Sequence, residues 1–342
     1  MDEMAKAIHY HEVDPGIHWV KDADVAIDSD GPLDANRTLT PNVVEMDGGY
    51  RMYYHGFGPQ SPNPASKGYI LSAFSADAGQ WEKEPGVRLD AGGEGAAHFI
   101  WSPEVIPLPD GGYRMYVEGR TEQAGSGAKS AIISALSADG LVWQREPGVR
   151  LGRANTSYGA PRCLYLEDGP RYRLYASASP HTDIEPYVGP YNDHHIVSAI
   201  SDAGLDFEME SGIRIAQESA LESFSVYAPE VLRLGTGGYR MYYAGWVSAP
   251  EVVAGSKFHG RIFSAFSQDG LSWAKDPGIC LDNGGRWDAA KASEPCIIEL
   301  ADGRFRLFYE ACDYQGRWRI ASATSDHGGA PSDRPPCPVG QR

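Results

Sequence analysis

Apolar and polar residues alternate with a period of two through much of the chain, and one such alternation is written five times. "GGYRMYYHG" (48–56) returns as "GGYRMYVEG" (111–119) and "GGYRMYYAG" (237–245), with looser copies in "GPRYRLYAS" (169–177) and "DGRFRLFYE" (302–310). Strict alternation entered from a Gly-rich turn predicts a β-strand. Aligning the copies places their aromatic residue at Tyr50, Tyr113, Tyr172, Tyr239 and Phe305.

Three further words accompany each copy. A short proline-containing strand precedes it: "TPNVVEM" (40–46), "SPEVIPL" (102–108), "APRCLYL" (160–166), "APEVLRL" (228–234) and "EPCIIEL" (294–300). A strand ending in Ser-Ala follows, as in "YILSAFS" and "RIFSAFS", and a tight turn leads to a fourth, as in "SADGLVWQREPGVRL" (137–151). Four antiparallel strands per unit, five times over, predict an all-β, five-bladed β-propeller. The fifth unit lacks its fourth strand after "SATSDHGG". "HEVDPGIHWV" (11–20) shares the acid-Pro-Gly-aliphatic run of "WEKEPGVRLD", so the N-terminal strand is expected to complete the last blade and close the ring. Residues 1–328 then form one domain, and 329–342, rich in Pro, Gly and Ser, a flexible tail.

Composition fits this picture. A chain of 342 residues with 40 glycines and 42% hydrophobic residues suits one large all-β domain with many turns. The net charge of −16 argues against nucleic acid or an anionic membrane surface as partner. "MDEMAKAIHYHEVDPG" has no apolar h-region and no run of about 18 apolar residues occurs, so a cytoplasmic protein is expected. Cys163, Cys280, Cys296, Cys312 and Cys337 have no C-x-x-C spacing and read as free thiols.

Candidate chemistry falls on one rim. The stretches between second and third strands are long: "GFGPQSPNPASKG" (56–68), "GRTEQAGSGAK" (119–129), "SASPHTDIEPYVGPYNDHH" (177–195) and "GWVSAPEVVAGSKFHG" (245–260). Long irregular segments on one edge of a rigid scaffold are where binding residues reside. The residue ending each recurrent strand varies (His55, Glu118, Ser177, Ala244, Glu310) because it faces this rim. On the innermost strand, the residues before the proline are Thr40, Ser102, Ala160, Ala228 and Glu294, and those after it Asn42, Glu104, Arg162, Glu230 and Cys296. If that face lines the central channel, carboxylates crowd around one guanidinium, an arrangement that splits pKa values and suits acid and base work. The competing reading is a structural network in which Arg162 neutralises Glu104 and Glu230. His55, His98, His181, His194, His195 and His259 cluster near the same rim. A divalent metal in the channel, with His55, His195 and His259 as candidate ligands, and sugar recognition by neutral imidazoles explain them equally; no H-E-x-x-H spacing supports the metal, and no cofactor is required. Trp101, Tyr227 and Trp246 are candidates to stack on a sugar. Trp81, Trp143 and Trp273, within turns similar to the Asp-box of sialidases, read as core.

The blade grammar resembles the five-bladed propeller glycosidases: glycoside hydrolase families 43, 32 and 68 and the mannoside phosphorylases of family 130. "SEP" (293–295) is similar to the motif supplying the general acid, which implies that role for Glu294. "APRC" keeps the Pro-Arg of a phosphorylase-like Asp-Pro-Arg, with Ala160 where the Asp would stand. The resemblance also implies a first-blade Asp near Thr40, which is absent; Asp34, upstream, is a poor substitute.

The expectation is therefore a glycosidase-type enzyme acting on a small carbohydrate. Glu294 is the acid, and Glu230 or Glu104 the second catalytic carboxylate. Arg162, Asn42, His55, His98, Trp101, Glu118, His181, His195, Trp246, His259 and Glu310 orient substrate. A lyase, isomerase or cyclase using rim histidines, with or without a metal, and a non-catalytic sugar-binding propeller are the alternatives.

Overall fold

The structure, a computed structural model, describes residues 11–325 apart from 61–67, 97, 121–129, 154–155, 167–170, 181–193 and 254–255. Five four-stranded antiparallel blades follow one another around a ring. Blade 1 comprises Arg37–Met46, Gly49–Phe57, Tyr69–Ser75 and Glu82–Lys83; blade 2 Phe99–Pro107, Tyr113–Arg120, Ser130–Ser137 and Gln144–Arg145. Blade 3 comprises Thr156–Tyr165, Tyr172–Pro180, His195–Ser201 and Glu208–Met209; blade 4 Ser225–Arg233, Tyr239–Val253, Ser256–Ser267 and Ala274–Lys275. Lys291–Glu299, Phe305–Cys312 and Trp318–Ser325 form blade 5, and the N-terminal strand Trp19–Ile27 pairs antiparallel with its third strand. One 3-10 turn, Ala220–Glu222, is the only helix among the described residues.

The N-terminal strand closes the ring as expected, but in a different register. Its "PGIHWVKD" overlays the turn and outer strand of other blades, "DGLSWAKD", rather than the later acid-Pro-Gly run. Three sets of contacts show this. The Tyr242 hydroxyl donates to the Gly16 carbonyl at 2.6 Å, as Tyr53, Tyr116 and Tyr175 donate to Gly140, Gly204 and Gly270. Trp19 meets Tyr242 edge-on at 5.7 Å, as Trp143 meets Tyr53 and Trp273 meets Tyr175. Asp22 accepts from Ser322 Oγ at 2.6 Å, as Glu84, Glu146, Glu210 and Asp276 accept from Ser72, Ser134, Ser198 and Ser264. The acid-Pro-Gly likeness misleads because both words contain a Gly with positive φ, Gly16 here and Gly86 or Gly148 there.

Each interface between blades is an aromatic and aliphatic layer, with Trp81, Trp143 and Trp273 packed edge-on against the preceding blade. Arginines of the recurrent strand bind the outer-strand acid of their own blade and a turn carbonyl of the next, for example Arg51 to Glu84 and to Asp139 O. Cys163, Cys280, Cys296 and Cys312 are free and buried. "GWVSAPEVVAGSKFHG" is not an irregular loop: strand pairing continues through Trp246↔Gly260, Val247↔His259 and Ser248↔Phe258.

Candidate functional site

The innermost strands share one unusual feature. Thr40, Ser102, Ala160, Ala228 and Glu294, the five residues before the prolines, have φ between 45° and 54°. Pairing with the second strand is interrupted at each, as between Leu39 and Asn42 or between Ser293 and Cys296. A bulge with a left-handed, non-glycine residue is strained, and such strain persists where surrounding structure enforces it. It divides the channel lining into two tiers.

The deeper tier is the residues after the prolines, and these clasp one another around the ring. Asn42 Nδ2 donates to Glu104 Oε2 at 2.6 Å, and Asn42 Oδ1 accepts from Val105 N at 2.9 Å. Glu104 Oε1 accepts from Cys163 N at 3.0 Å. Arg162 Nε donates to Glu230 Oε2 at 2.6 Å, while Glu230 Oε1 accepts from Ile297 N at 3.0 Å. Val43 N points to Cys296 Sγ at 3.2 Å, which completes the circuit. The Arg162 guanidinium also reaches the carbonyls of Pro41 and Pro295, from blades 1 and 5, so it sits across the axis. Burial pushes Glu104 up to about 8, opposed by Arg162, and raises Glu230 as well.

The upper tier, toward the rim, is different. Glu294 is buried, and its Oε2 accepts from Ser102 Oγ at 3.3 Å. Burial, reinforced by the nearby charge of Glu310, holds its carboxyl well above the usual carboxylate range. Glu310, directly across from Ser293, accepts from Ser293 Oγ at 3.2 Å. Burial raises it to about 7 while the Lys291 ammonium pulls the other way. Glu118 also acts on Glu294; its carboxylate lies over Gly159, where an added Cβ would come within 2.1 Å of Oε2. Lys291 is held between the faces of Trp246, at 3.9 Å, and Trp318, at 5.1 Å, and burial lowers its ammonium to about 8. Tyr227 packs edge-on to Trp246 at 4.7 Å. Thr40 Oγ1, Glu310 Oε2 and His259 Nε2 are buried and find no hydrogen-bond partner among the described residues.

Glu294, Glu310, Glu118 and Trp246 are thus brought together, and Glu104, Glu230, Arg162 and Asn42 form a separate cluster beneath them. The histidines disperse. His55 is fully buried, stacked on Trp101 at 4.4 Å, with Nδ1 3.1 Å from Ile100 O, and burial drives its pKa down to about 3. His259 faces Tyr314, His195 opens the third strand of blade 3, and His98 precedes the inner strand of blade 2. Among the described residues no three His, Cys, Asp or Glu side chains converge as a metal-binding group, so His55, His195 and His259 form no common site. His181 lies outside the described residues. Asp34 is scaffold: it takes Lys83 at 2.7 Å and the Tyr54 hydroxyl at 3.2 Å. Asp288 repeats this with Lys21 and Tyr309, and Glu222 with Lys275 and Tyr243. Lys291 escaped the sequence reading; its one signal was a lysine three residues before the acid on the inner strand.

No protein-family model matches the chain. Two uncharacterized proteins of Mycobacterium tuberculosis, MT1551 and Rv1502, are each 32% identical over 237 residues, covering 66% of this chain and 74% of theirs. Among solved structures, a thermostable family-43 glycoside hydrolase superposes with a TM-score of 0.65 at 16% identity, covering 92% of this chain and 96% of its own. A structure from the GH130 family of mannoside phosphorylases gives 0.66 at 13% identity, covering 89% and 93%. The GH32 β-fructofuranosidase of Bombyx mori gives 0.61 at 13% identity, covering 93% and 64%. Those likenesses carry the propeller architecture. The chain belongs to the family of the two mycobacterial proteins, built on the fold of the five-bladed propeller glycosidases.

Proposed function

We propose that this protein cleaves the glycosidic bond of a small carbohydrate bound in the upper tier of the channel, with Glu294 as general acid. The observation that carries the reading is the setting of Glu294: a buried carboxyl 3.3 Å from Ser102 Oγ, pushed well above the usual carboxylate range by burial and by the neighbouring Glu310, near Tyr227, which packs on Trp246. A carboxylic acid that holds its proton near neutrality can give it to a leaving oxygen. Glycosidase activity among proteins of the same fold supports the reading by analogy. Glu104 and Glu230 are assigned a structural role, since both oxygens of each are committed to Asn42, Arg162 or a backbone amide.

The test is turnover of a panel of aryl glycosides by the wild type, Glu294→Gln and Glu230→Gln. Aglycone release that drops by orders of magnitude in Glu294→Gln, with Glu230→Gln retaining turnover, is the expected result. Sugar binding without release from any glycoside would instead identify a binding propeller.

A further inference from the structure

We propose that Glu310, on the second strand of blade 5, is the second catalytic carboxylate of the bowl, acting as the base that works with Glu294, with Lys291 as its positioning residue. The inference rests on the glycoside-cleaving reading.

Four observations converge on Glu310. First, it is close to Glu294: the two are the ends of adjoining positions, since Ser293 pairs directly with Glu310 and Glu294 follows. Each is perturbed differently by its surroundings, which separates an acid from a base. Second, Glu310 leans toward blade 1, where the Thr40 amide helps to hold it charged. Third, its two oxygens are held differently. Oε1 accepts from Ser293, whereas Oε2 is buried and, among the described residues, has no hydrogen bond of good geometry, the Thr40 amide acting on the carboxylate from nearby. An unpaired buried acceptor is costly unless a water or substrate hydroxyl completes it. Glu104 and Glu230 have no such free oxygen.

The fourth observation is Lys291. Its ammonium is buried and makes no hydrogen bond or ion pair among the described residues, being held only by the faces of Trp246 and Trp318. A desolvated cation in that setting exerts its field on the nearest carboxylates. Glu310 is the largest of those it feels, ahead of Cys312 and Glu294. The aromatic clamp fixes the ammonium without occupying Glu310 Oε2, and its charge favours the ionised carboxylate against the effect of burial.

The step balances with water alone. Glu294 transfers its carboxyl proton to the bridging oxygen as the bond from that oxygen to the anomeric carbon breaks. Glu310 takes one proton from a water whose oxygen forms the new bond to that carbon. The products are a hemiacetal and an alcohol, and exchange with solvent returns both carboxyl groups to their starting states.

Kinetics of the wild type, Glu294→Gln, Glu310→Gln, Glu310→Ala, Lys291→Met and Glu118→Gln on the reactive aryl glycoside test this. Glu310→Gln is expected to lose about 10³-fold in kcat, and azide to restore Glu310→Ala with formation of a glycosyl azide. In Lys291→Met, loss of a positive charge makes Glu310 harder to ionise, so the acidic limb of the kcat/KM profile moves to higher pH. The other titratable or charged groups facing Glu310 are Arg37, Tyr227, Cys312 and Glu294, and that variant alters none of them. Glu118→Gln leaves that limb where it is. Turnover by Glu310→Gln within about fivefold of wild type, with Glu294→Gln inactive, overturns the inference and leaves the glycosidase reading standing. A wild type that cleaves no glycoside overturns both.

Discussion

Arg162 Nε and Glu230 Oε2 lie 2.6 Å apart on the channel axis, joining blade 3 to blade 4. The pair is buried, with 7% and 9% of the two side chains exposed. Removing one partner strands the other charge in a dry interior. Arg162→Met is expected to lower unfolding stability by about 3–5 kcal/mol, read by chemical denaturation. Glu230→Gln, which keeps the shape and one hydrogen bond, should cost clearly less. Equal losses in the two variants would argue against a clasp centred on the guanidinium.

Glu104 gives that clasp a pH dependence. Its folded pKa is raised to about 8 from 4.5, so between those values the folded state binds more protons than the unfolded one. Its contribution is full below about 4.5 and is lost as pH rises through about 8. Unfolding free energy should fall over that window, by at most about 1.4 kcal/mol per pH unit from this group. Glu104→Gln should make the fall shallower. An unchanged slope would mean that Glu104 is ionised at both ends of the window.

Ring closure rests on Asp22, which accepts from Ser322 Oγ at 2.6 Å and Thr324 Oγ1 at 3.2 Å. Asp22→Ala should cost about 2 kcal/mol, discounted from the upper range because the carboxylate is 31% exposed. Asp24→Ala, on the exposed face of the same strand, should be neutral. Matching thermal shifts for the two would count against the assigned register.

Gly159 makes room for Glu118. A methyl group there would meet the Glu118 carboxylate at 2.1 Å, the movable end of a side chain. Gly159→Ala should therefore fold with little loss of stability while displacing Glu118 from the upper tier. A measurable fall in kcat/KM on the glycoside panel, with an unchanged melting temperature, is the expected outcome.

Much of the architecture was legible because it is local. Period-two alternation, Gly turns and a recurring Ser-x-Asp-Gly-x-x-Trp word specify strands and hairpins wherever they stand, and five copies fix the number of blades. Glu294 could be singled out from "SEP", and Glu118 and Glu310 from their place at the end of the recurrent strand. The two-tier division could not be read so. Spacing places Thr40 and Asn42 on one face, but the left-handed bulge at every X-Pro step separates them, and its conformation is enforced by packing.

The sequence by itself determined an all-β propeller of five repeated units whose missing outer strand comes from the N-terminus, because those properties follow from periodicity and copy number. Tertiary structure alone decided the register of that strand, the withdrawal of His55 into the core and the enclosure of Lys291 between Trp246 and Trp318. It also decided which carboxylates are spent on the clasp and which remain open. Each of these depends on side chains from different blades meeting at the axis or across an interface. Burial, charge and hydrogen-bond supply at such a point are sums over distant residues, and no single strand carries them.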